Sequence, residues 1–518
     1  MTVRAYRAFV TGASLAILPL TATAEVTAID VWNNIKAASE STGASVIADV
    51  SEAGGVVTVA DVTLRWALPM GVGQVDVNYG TLVLTPRGDG TVDLGGPLDQ
   101  TITFGFEVVG EGAASIAMGY NVSGYSTIAS GEPGDVTYDY SIDSAAVTFE
   151  NVEFTGDMAD GASQIDVEGE MSFADMTGSY RITEADLIAL TSDGSIGSGI
   201  IDLTYTIAVD GEPPVTSITD ATLGAMVGKF GFNLPKGGVS LLALPAALRD
   251  GMSFSYDYTS EAQSSEASTL VGDDVMMRQN TGTGALTGEV AFDSDGLRMD
   301  FAASDYTLDM EQPLLMPLPI SMAVSSVETQ LDMPILETGD AVEAAMRVVM
   351  NGLTIDPGLW AMIDPGGALP QDPIDLTADM TSSVRLLMDL LDFDALAELD
   401  QTGAVPAEIE GLTINSLNVK AVGAEADMVG AVTFDNTDLE TFGGFPAPDG
   451  AATITLRNAE ALLDTLVQMG LATPEDMMGV TMVLSGFFRA GDNENERVTD
   501  IEIDGAAGTV TANGMRVR

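Results

Sequence analysis

The sequence predicts an α+β fold, dominated by long twisted antiparallel β-sheet with a few amphipathic helices packed on one face or at the ends. Three observations carry that reading. Apolar and polar residues alternate with period two along much of the 518 residues. Turns rich in glycine, proline and aspartate punctuate those runs at hairpin distances. Hydrophobic residues make up 46% of the chain, yet past its N-terminal leader no stretch reaches 18 uninterrupted apolar residues. The apolar half of each strand must therefore face a core or a groove, and the polar half water.

The elements follow in order. Arg4 and Arg7, an apolar run from Ala8 to Leu20 and then Ala22-Thr23-Ala24 form the pattern of a cleavable signal peptide over residues 1–24. The run is shorter than a membrane-spanning helix needs and contains Pro19. Thr27 with Asp30 makes a capping-box start, and Ala28, Val31, Trp32, Ile35 and Ala38 form a helical apolar stripe. Strand alternation is clear in Val136-Tyr138-Tyr140-Ile142, in Ile165-Val167 to Met171-Phe173, and in Ile201-Leu203-Tyr205-Ile207-Val209. It returns in Met252-Phe254-Tyr256-Tyr258, Leu297-Met299-Phe301 and Tyr306-Leu308-Met310. Gly131-Glu132-Pro133-Gly134, Asp193-Gly194, Asp210-Gly211, Asp295-Gly296 and Asn513-Gly514 read as turns. Further helices are expected over Thr183–Leu190, Ile218–Gly228, Ser240–Asp250 (broken or kinked at Pro245), Gly339–Met350 and Asn458–Gly470. Another starts at Thr473-Pro474-Glu475-Asp476.

The proline-rich stretch Pro357–Pro373 reads as a rigid loop, and Asp392–Pro406 as a helix or linker. These breaks divide the chain into residues 25–236, 237–400 and 401–518: an N-terminal β-rich region, a middle β-rich region with helices, and a C-terminal α+β region. A faint internal echo links Gly55–Leu64 with Gly411–Val419, each a glycine followed by strand alternation.

Composition excludes most chemistry. The chain has no histidine and no cysteine, so imidazole bases, zinc and copper ligands of those types, Ser-His-Asp and Cys-His nucleophiles, disulfides and a lipidated N-terminal cysteine are all ruled out. Its 77 acidic and 19 basic residues give a net charge of −58, and the four lysines (Lys36, Lys229, Lys236, Lys420) are scattered, which argues against nucleic acid as a partner. Acid on the outward faces of strands keeps so apolar a chain soluble.

Individual motifs fail one by one. A calcium-loop match around Asp293, Asp295 and Gly296 has Ala291 and Ala302 where ligands are needed, and Asp492–Glu496 reads as a polar hairpin loop. Gly224–Lys229 is one residue short of a phosphate-binding loop, and Phe230 stands where Ser or Thr is required. No serine lies three residues before a lysine. Paired carboxylates suited to glycoside hydrolysis are uninformative among 77 acids, and only Trp32, Trp66 and Trp360 could stack on sugar rings. No catalytic residue, cofactor or metal ligand is assigned.

Val26–Trp32, Leu359-Trp360 with Asp364-Pro365-Gly366-Gly367, Leu369-Pro370, Asp372-Pro373, Leu462-Leu463-Asp464, Met469–Leu471, Pro474-Glu475 and Asn513-Gly514 are cues spread over the whole chain. In these the chain resembles the alphaproteobacterial family of exported proteins termed domain of unknown function 2125. The resemblance implies a Gram-negative exported protein of about this length and carries no reaction, cofactor or catalytic residue.

The expectation is thus a periplasmic, non-enzymatic protein that binds or shelters an apolar ligand, a lipid or acyl chain, in a β-sheet groove. High hydropathy without a membrane span and 26 methionines motivate it. The lining is expected from Val136, Tyr138, Tyr140, Ile201, Leu203, Tyr205, Phe254 and Tyr256, as core residues first and ligand contacts second. The alternative is an acidic structural or interaction protein of the cell envelope, meeting basic or cation-bridged partners. An outer-membrane barrel is disfavoured by acidic outward positions and by an ending on Arg516-Val517-Arg518 rather than an aromatic.

Overall fold

A computed structural model describes residues 25–68, 73–96, 98–156, 164–209, 211–240, 243–392, 395–397, 399 and 405–518; the signal-peptide segment, residues 1–24, lies outside them. All 28 described strands join in one antiparallel sheet. Its first part comprises β1 (Ser45–Ala53), β2 (Val56–Ala67), β3 (Gly73–Pro86), β4 (Val92–Gly95), β5 (Asp99–Val108), β6 (Gly112–Ser123) and β7 (Ser126–Glu132). The long β8 (Asp135–Gly156) and β9 (Gln164–Glu184) follow. Next are β10 (Leu187–Ile196), β11 (Ser198–Ala208), β12 (Val215–Leu223), β13 (Met226–Pro235), β14 (Ser253–Ser260), β15 (Gln263–Val271), β16 (Asp274–Thr283) and β17 (Leu286–Phe292). The last part runs β18 (Leu297–Gln312), β19 (Met316–Met333), β20 (Val342–Ile355), β21 (Ile374–Leu386), β22 (Ala407–Ala421), β23 (Ala424–Asp435), β24 (Ala447–Arg457), β25 (Arg489–Ala490), β26 (Glu496–Asp504), β27 (Thr509–Ala512) and β28 (Met515–Arg516). The helices are α1 (Ala28–Ser41), α2 (Leu244–Arg249), α3 (Pro357–Ile363), α4 (Ala459–Gln468) and α5 (Pro474–Phe487). Strands on either side of the expected boundaries at 236/237 and 400/401 pair with each other, β13 with β14 and β21 with β22.

Many of the rungs are interrupted near the middle. The continuous β9 is faced by β10 over one half and β11 over the other, and the pattern repeats as β13 with β12, β14 with β15, and β17 with β16, up to the continuous β18. The interruptions line up as a crease. Asp61, Asp175 and Asp305 sit there with φ of 52°, 53° and 49°, a left-handed conformation that aspartate tolerates better than larger residues. Each unpairs one residue of its strand, which bends the strand and raises local twist. Opposite Asp175 stands Gly197, where a Cβ would come within 2.8 Å of the aspartate Cβ. The echo between Gly55–Leu64 and Gly411–Val419 falls on two such strands: β2 is bulged between Val59 and Val62, and β22 between Ile414 and Leu417.

Bending gives the sheet a concave inner face, and α1 lies in it. Thr27 and Asp30 form the expected capping box. The buried Val31 and Trp32 of α1 share one core with Val57, Val59, Leu84, Val92, Val136, Tyr138, Ile182 and Ile188. Strands far apart in the sheet, β1–β3 and β8–β10, touch the same helix, so the sheet curls around it. Burying a large side chain such as Trp32 contributes on the order of 2–3 kcal/mol. The shorter α2 fills the neighbouring stretch, where Ala247 and Leu248 pack with Leu234, Met252, Ile335 and Leu336. Arg249 of α2 binds Asp389 at 2.9 Å and ties that cap to the segment after β21.

Several expected elements are corrected. Thr183–Leu190 and Ile218–Gly228 are strand–turn–strand, not helix, and Gly339–Met350 is mostly β20. The last is rich in helix formers (Ala344, Ala345, Met346), but it pairs on both edges, with β19 and β21, and that pairing overrides weak local propensity. Ser240–Asp250 contracts to α2, with Pro245 in its first turn, where a missing N–H costs nothing. Asp193-Gly194 is no turn but the interior of β10. The Pro357–Pro373 loop begins with α3, capped by Asp356. The expected α4 and α5 are present, as are hairpins at Glu132/Asp135, Phe292/Leu297 and Ala512/Met515.

Candidate ligand groove

Antiparallel register defines the inner face residue by residue, because directly opposed side chains point the same way. One cross-strand row starts beneath α1 with Ala129, Tyr138 and Tyr180, passes Ser192, and emerges at Phe230 and Tyr256. It continues through Val290, Met299, Leu331, Met346, Met380 and Ile414, then Gly430, Ala452, Ile501 and Ala512. From Phe230 onward no member carries a charge, over about 50 Å at roughly 4.8 Å per strand. Exposure changes along it: Ala129 and Tyr138 are 0% exposed, while Met346 is 40% exposed.

One residue further along the same strands, the other face is charged or polar. Asp193, Lys229, Asp257, Glu289, Asp300, Gln330, Arg347 and Asp379 are opposed in turn. Gln330 donates to Asp300 at 2.9 Å and Arg347 to Glu328 at 2.9 Å. Two shallow depressions of about 480 and 430 Å³ on this face adjoin Lys229. Elsewhere on it Glu170, Asp202, Asp220 and Glu266 oppose one another directly. Like charges so placed destabilise a sheet. Among the described residues, no group of three or more acidic side chains is arranged to hold a metal ion.

The residues expected to line a groove are distributed between core and open face. Val136 and Tyr138 are wholly buried under α1. Tyr140 is half-buried, and its ring lies over the opposed glycines Gly178 and Gly194, where a Cβ would come within 2.7 and 2.4 Å of its hydroxyl. Ile201 and Leu203 are half-buried on β11, and Tyr205 is 37% exposed. Phe254 and Tyr256 are half-buried on β14, with Phe254 edge-on to Phe230 and Phe232.

A buried polar cluster joins α1 to the sheet. Asn34 is 0% exposed, donates to Glu184 at 2.9 Å and accepts from the Tyr138 hydroxyl at 2.9 Å. The Tyr138 ring stacks on Tyr180 at 4.5 Å, and burial pushes both phenols well above the usual tyrosine range. These phenols stay neutral donors, which suits an anchor and not a base. Sequence reasoning missed Asn34 and Glu184, although a polar residue beside an apolar helical stripe was a readable signal. It also missed the methionine row of Met299, Met346 and Met380, because strand pairing and not sequence brings those residues together.

No helix among the described residues is long and apolar enough to cross a membrane. Comparison of the chain with protein-family models, with curated proteins and with solved structures finds no match.

Proposed function

We propose that the chain is an exported, periplasmic, non-enzymatic protein that shelters an apolar ligand, a lipid or acyl chain, along the inner face of its sheet. The observation that carries this reading is the uncharged row from Phe230 to Ile501, which is only partly buried and is exposed at Met346, with charged or polar residues on the opposite face of the same strands. An apolar surface of that extent on a protein of net charge −58 calls for a cover, and a hydrocarbon chain laid across the strands supplies one. Methionine suits such a lining because its thioether adapts to chains of different shape. The resemblance to exported alphaproteobacterial proteins and the signal-peptide pattern support the location. Native mass spectrometry and organic extraction of the protein purified from its own periplasm test the reading. Bound lipid released by solvent is expected; a protein that carries none and takes up none from vesicles refutes it.

The alternative reading, an envelope interaction protein, is favoured by the opposed carboxylates Glu170, Asp202, Asp220 and Glu266. A complex made through them dissociates steeply with salt; a salt-insensitive complex counts against it.

A further inference from the structure

The groove's two ends differ, and the difference rests on one row of side chains. Beneath α1 the row is sealed. Val31 and Trp32 belong to one buried core with residues of β2–β4 and of β8–β10, and Val57, Val59, Leu84, Val92, Val136 and Tyr138 are all 0% exposed. The seal is closed from behind as well. Gly43, just past α1 with φ of 87°, lies so close to the 236–240 segment that a Cβ would meet the Val239 carbonyl oxygen at 2.7 Å. A polar lock holds the helix in place, since Asn34 satisfies Tyr138 and Glu184 at once. From β18 to β24 the same face is more open among the described residues, although α3 approaches β19 and α4 approaches β23. Met346, Ile409 and Val419 are 40%, 48% and 40% exposed, and the register places no charged residue on this face of those strands.

We infer that α1 is a fixed stopper, which makes the groove one-ended: an electroneutral lipid lays its acyl chains across β14–β24 and cannot advance past Tyr180 toward β2 and β3. The inference rests on the lipid-sheltering reading and adds where the ligand sits and how it is limited. A face without a cation or an anion cannot bind a charged headgroup, so the headgroup stays outside while the chains enter. Phe230 and Tyr256, where the row emerges from under the helix, are the last positions such a chain reaches.

The full-length protein is photolabelled in vesicles with a phosphatidylcholine that carries a diazirine on one acyl chain, and labelled peptides are mapped by mass spectrometry. Labelling is expected on β20 and β21 and not on β2 or β3. The doubly substituted Trp32→Ala/Asn34→Ala protein is expected to admit label to β2 and β3 at a level comparable with β20. Label on β2 and β3 of the unsubstituted protein overturns the stopper and leaves lipid binding intact, whereas label on neither segment overturns lipid binding itself. A folded variant that keeps β2 and β3 unlabelled also overturns the stopper. Should the variant fail to fold, hydrogen exchange of residues 28–41 in the unsubstituted protein decides. Protection unchanged by lipid is expected, and its loss on binding means that the ligand displaces α1 and overturns the inference.

Discussion

Replacing Asn34 by alanine and Tyr138 by phenylalanine, singly and together, weighs the bonds that seat α1. The Asn34 amide is wholly buried and serves Tyr138 and Glu184, each at 2.9 Å. Its removal strands a buried hydroxyl and a half-buried carboxylate; at about 1–3 kcal/mol for each unsatisfied group, Asn34→Ala is expected to cost about 2–6 kcal/mol. Tyr138→Phe keeps the ring on Tyr180 and leaves only the Asn34 carbonyl oxygen without its donor, for about 1–3 kcal/mol. Both changes delete the same bond, so the double variant should fall short of the sum by about 1–2 kcal/mol. A protein of 518 residues need not unfold in one step, so the assay is local: hydrogen exchange across residues 28–41, read beside the urea transition. Additive costs, or a loss under about 0.5 kcal/mol for Asn34→Ala, would show that apolar packing alone holds the helix.

Other perturbations test the crease, the acidic face and the second cap. Asp175→Gly is expected to be neutral or stabilising by up to about 1 kcal/mol and Asp175→Val destabilising by about 1–2, since only the branched residue resists φ of 53°; thermal unfolding ranks the pair. Asp220→Asn should stabilise by about 0.2–1 kcal/mol in low salt by relieving repulsion from Asp202 and Glu266, and the gain should vanish in high salt; a gain that persists there refutes an electrostatic origin. Arg249, by its hydrogen bonds, holds the Asp389 carboxyl below the usual carboxylate range. A depressed folded pKa gives stability that is complete above about pH 4 and is lost as pH falls through the lowered value. Asp389→Asn should therefore flatten the fall in melting temperature between neutral and acid pH. Gly194→Ala should displace Tyr140 from its place over Gly178, seen as a change in tyrosine near-ultraviolet circular dichroism.

The fold was legible where one period dominated. Val136 to Ile142 and the two halves of β18, Leu297 to Phe301 and Tyr306 to Met310, are strands in which alternation is unbroken, and α1 was readable because Thr27, Asp30 and a stripe of apolar residues agree. Reading failed where local propensity and pairing disagree. Residues 342–350 have the composition of a helix, but β21 pairs with the whole segment and β19 with residues 345–350, and no signal within the segment reveals those neighbours. Gly194 illustrates the same limit, since next to Asp193 it looks like a turn while its lack of a side chain makes room for Tyr140, 54 positions earlier. The inner face of the sheet was half legible. Tyr140, Leu203 and Phe254 follow from alternation, whereas the path from Met299 through Met346 to Met380 depends on register between strands and is invisible in any one of them.

That register also explains why so acidic a chain can be so apolar. Asp257, Glu289 and Asp300 are sequence neighbours of Tyr256, Val290 and Met299, and each pair lies on opposite faces of one strand. A shift of pairing by one residue would turn a row of carboxylates inward and a row of hydrocarbon out to water, so the two rows together fix the register across the sheet. The acid thus has a structural part beyond solubility. It tolerates direct opposition at Glu170, Asp202, Asp220 and Glu266, at some cost in stability, because the alternative pairing would bury those charges at far greater cost. The uncharged row from Phe230 to Ile501 is then the counterpart of the acidic outer face: the same alternation that puts carboxylates on one side of these strands keeps charge out of that row on the other.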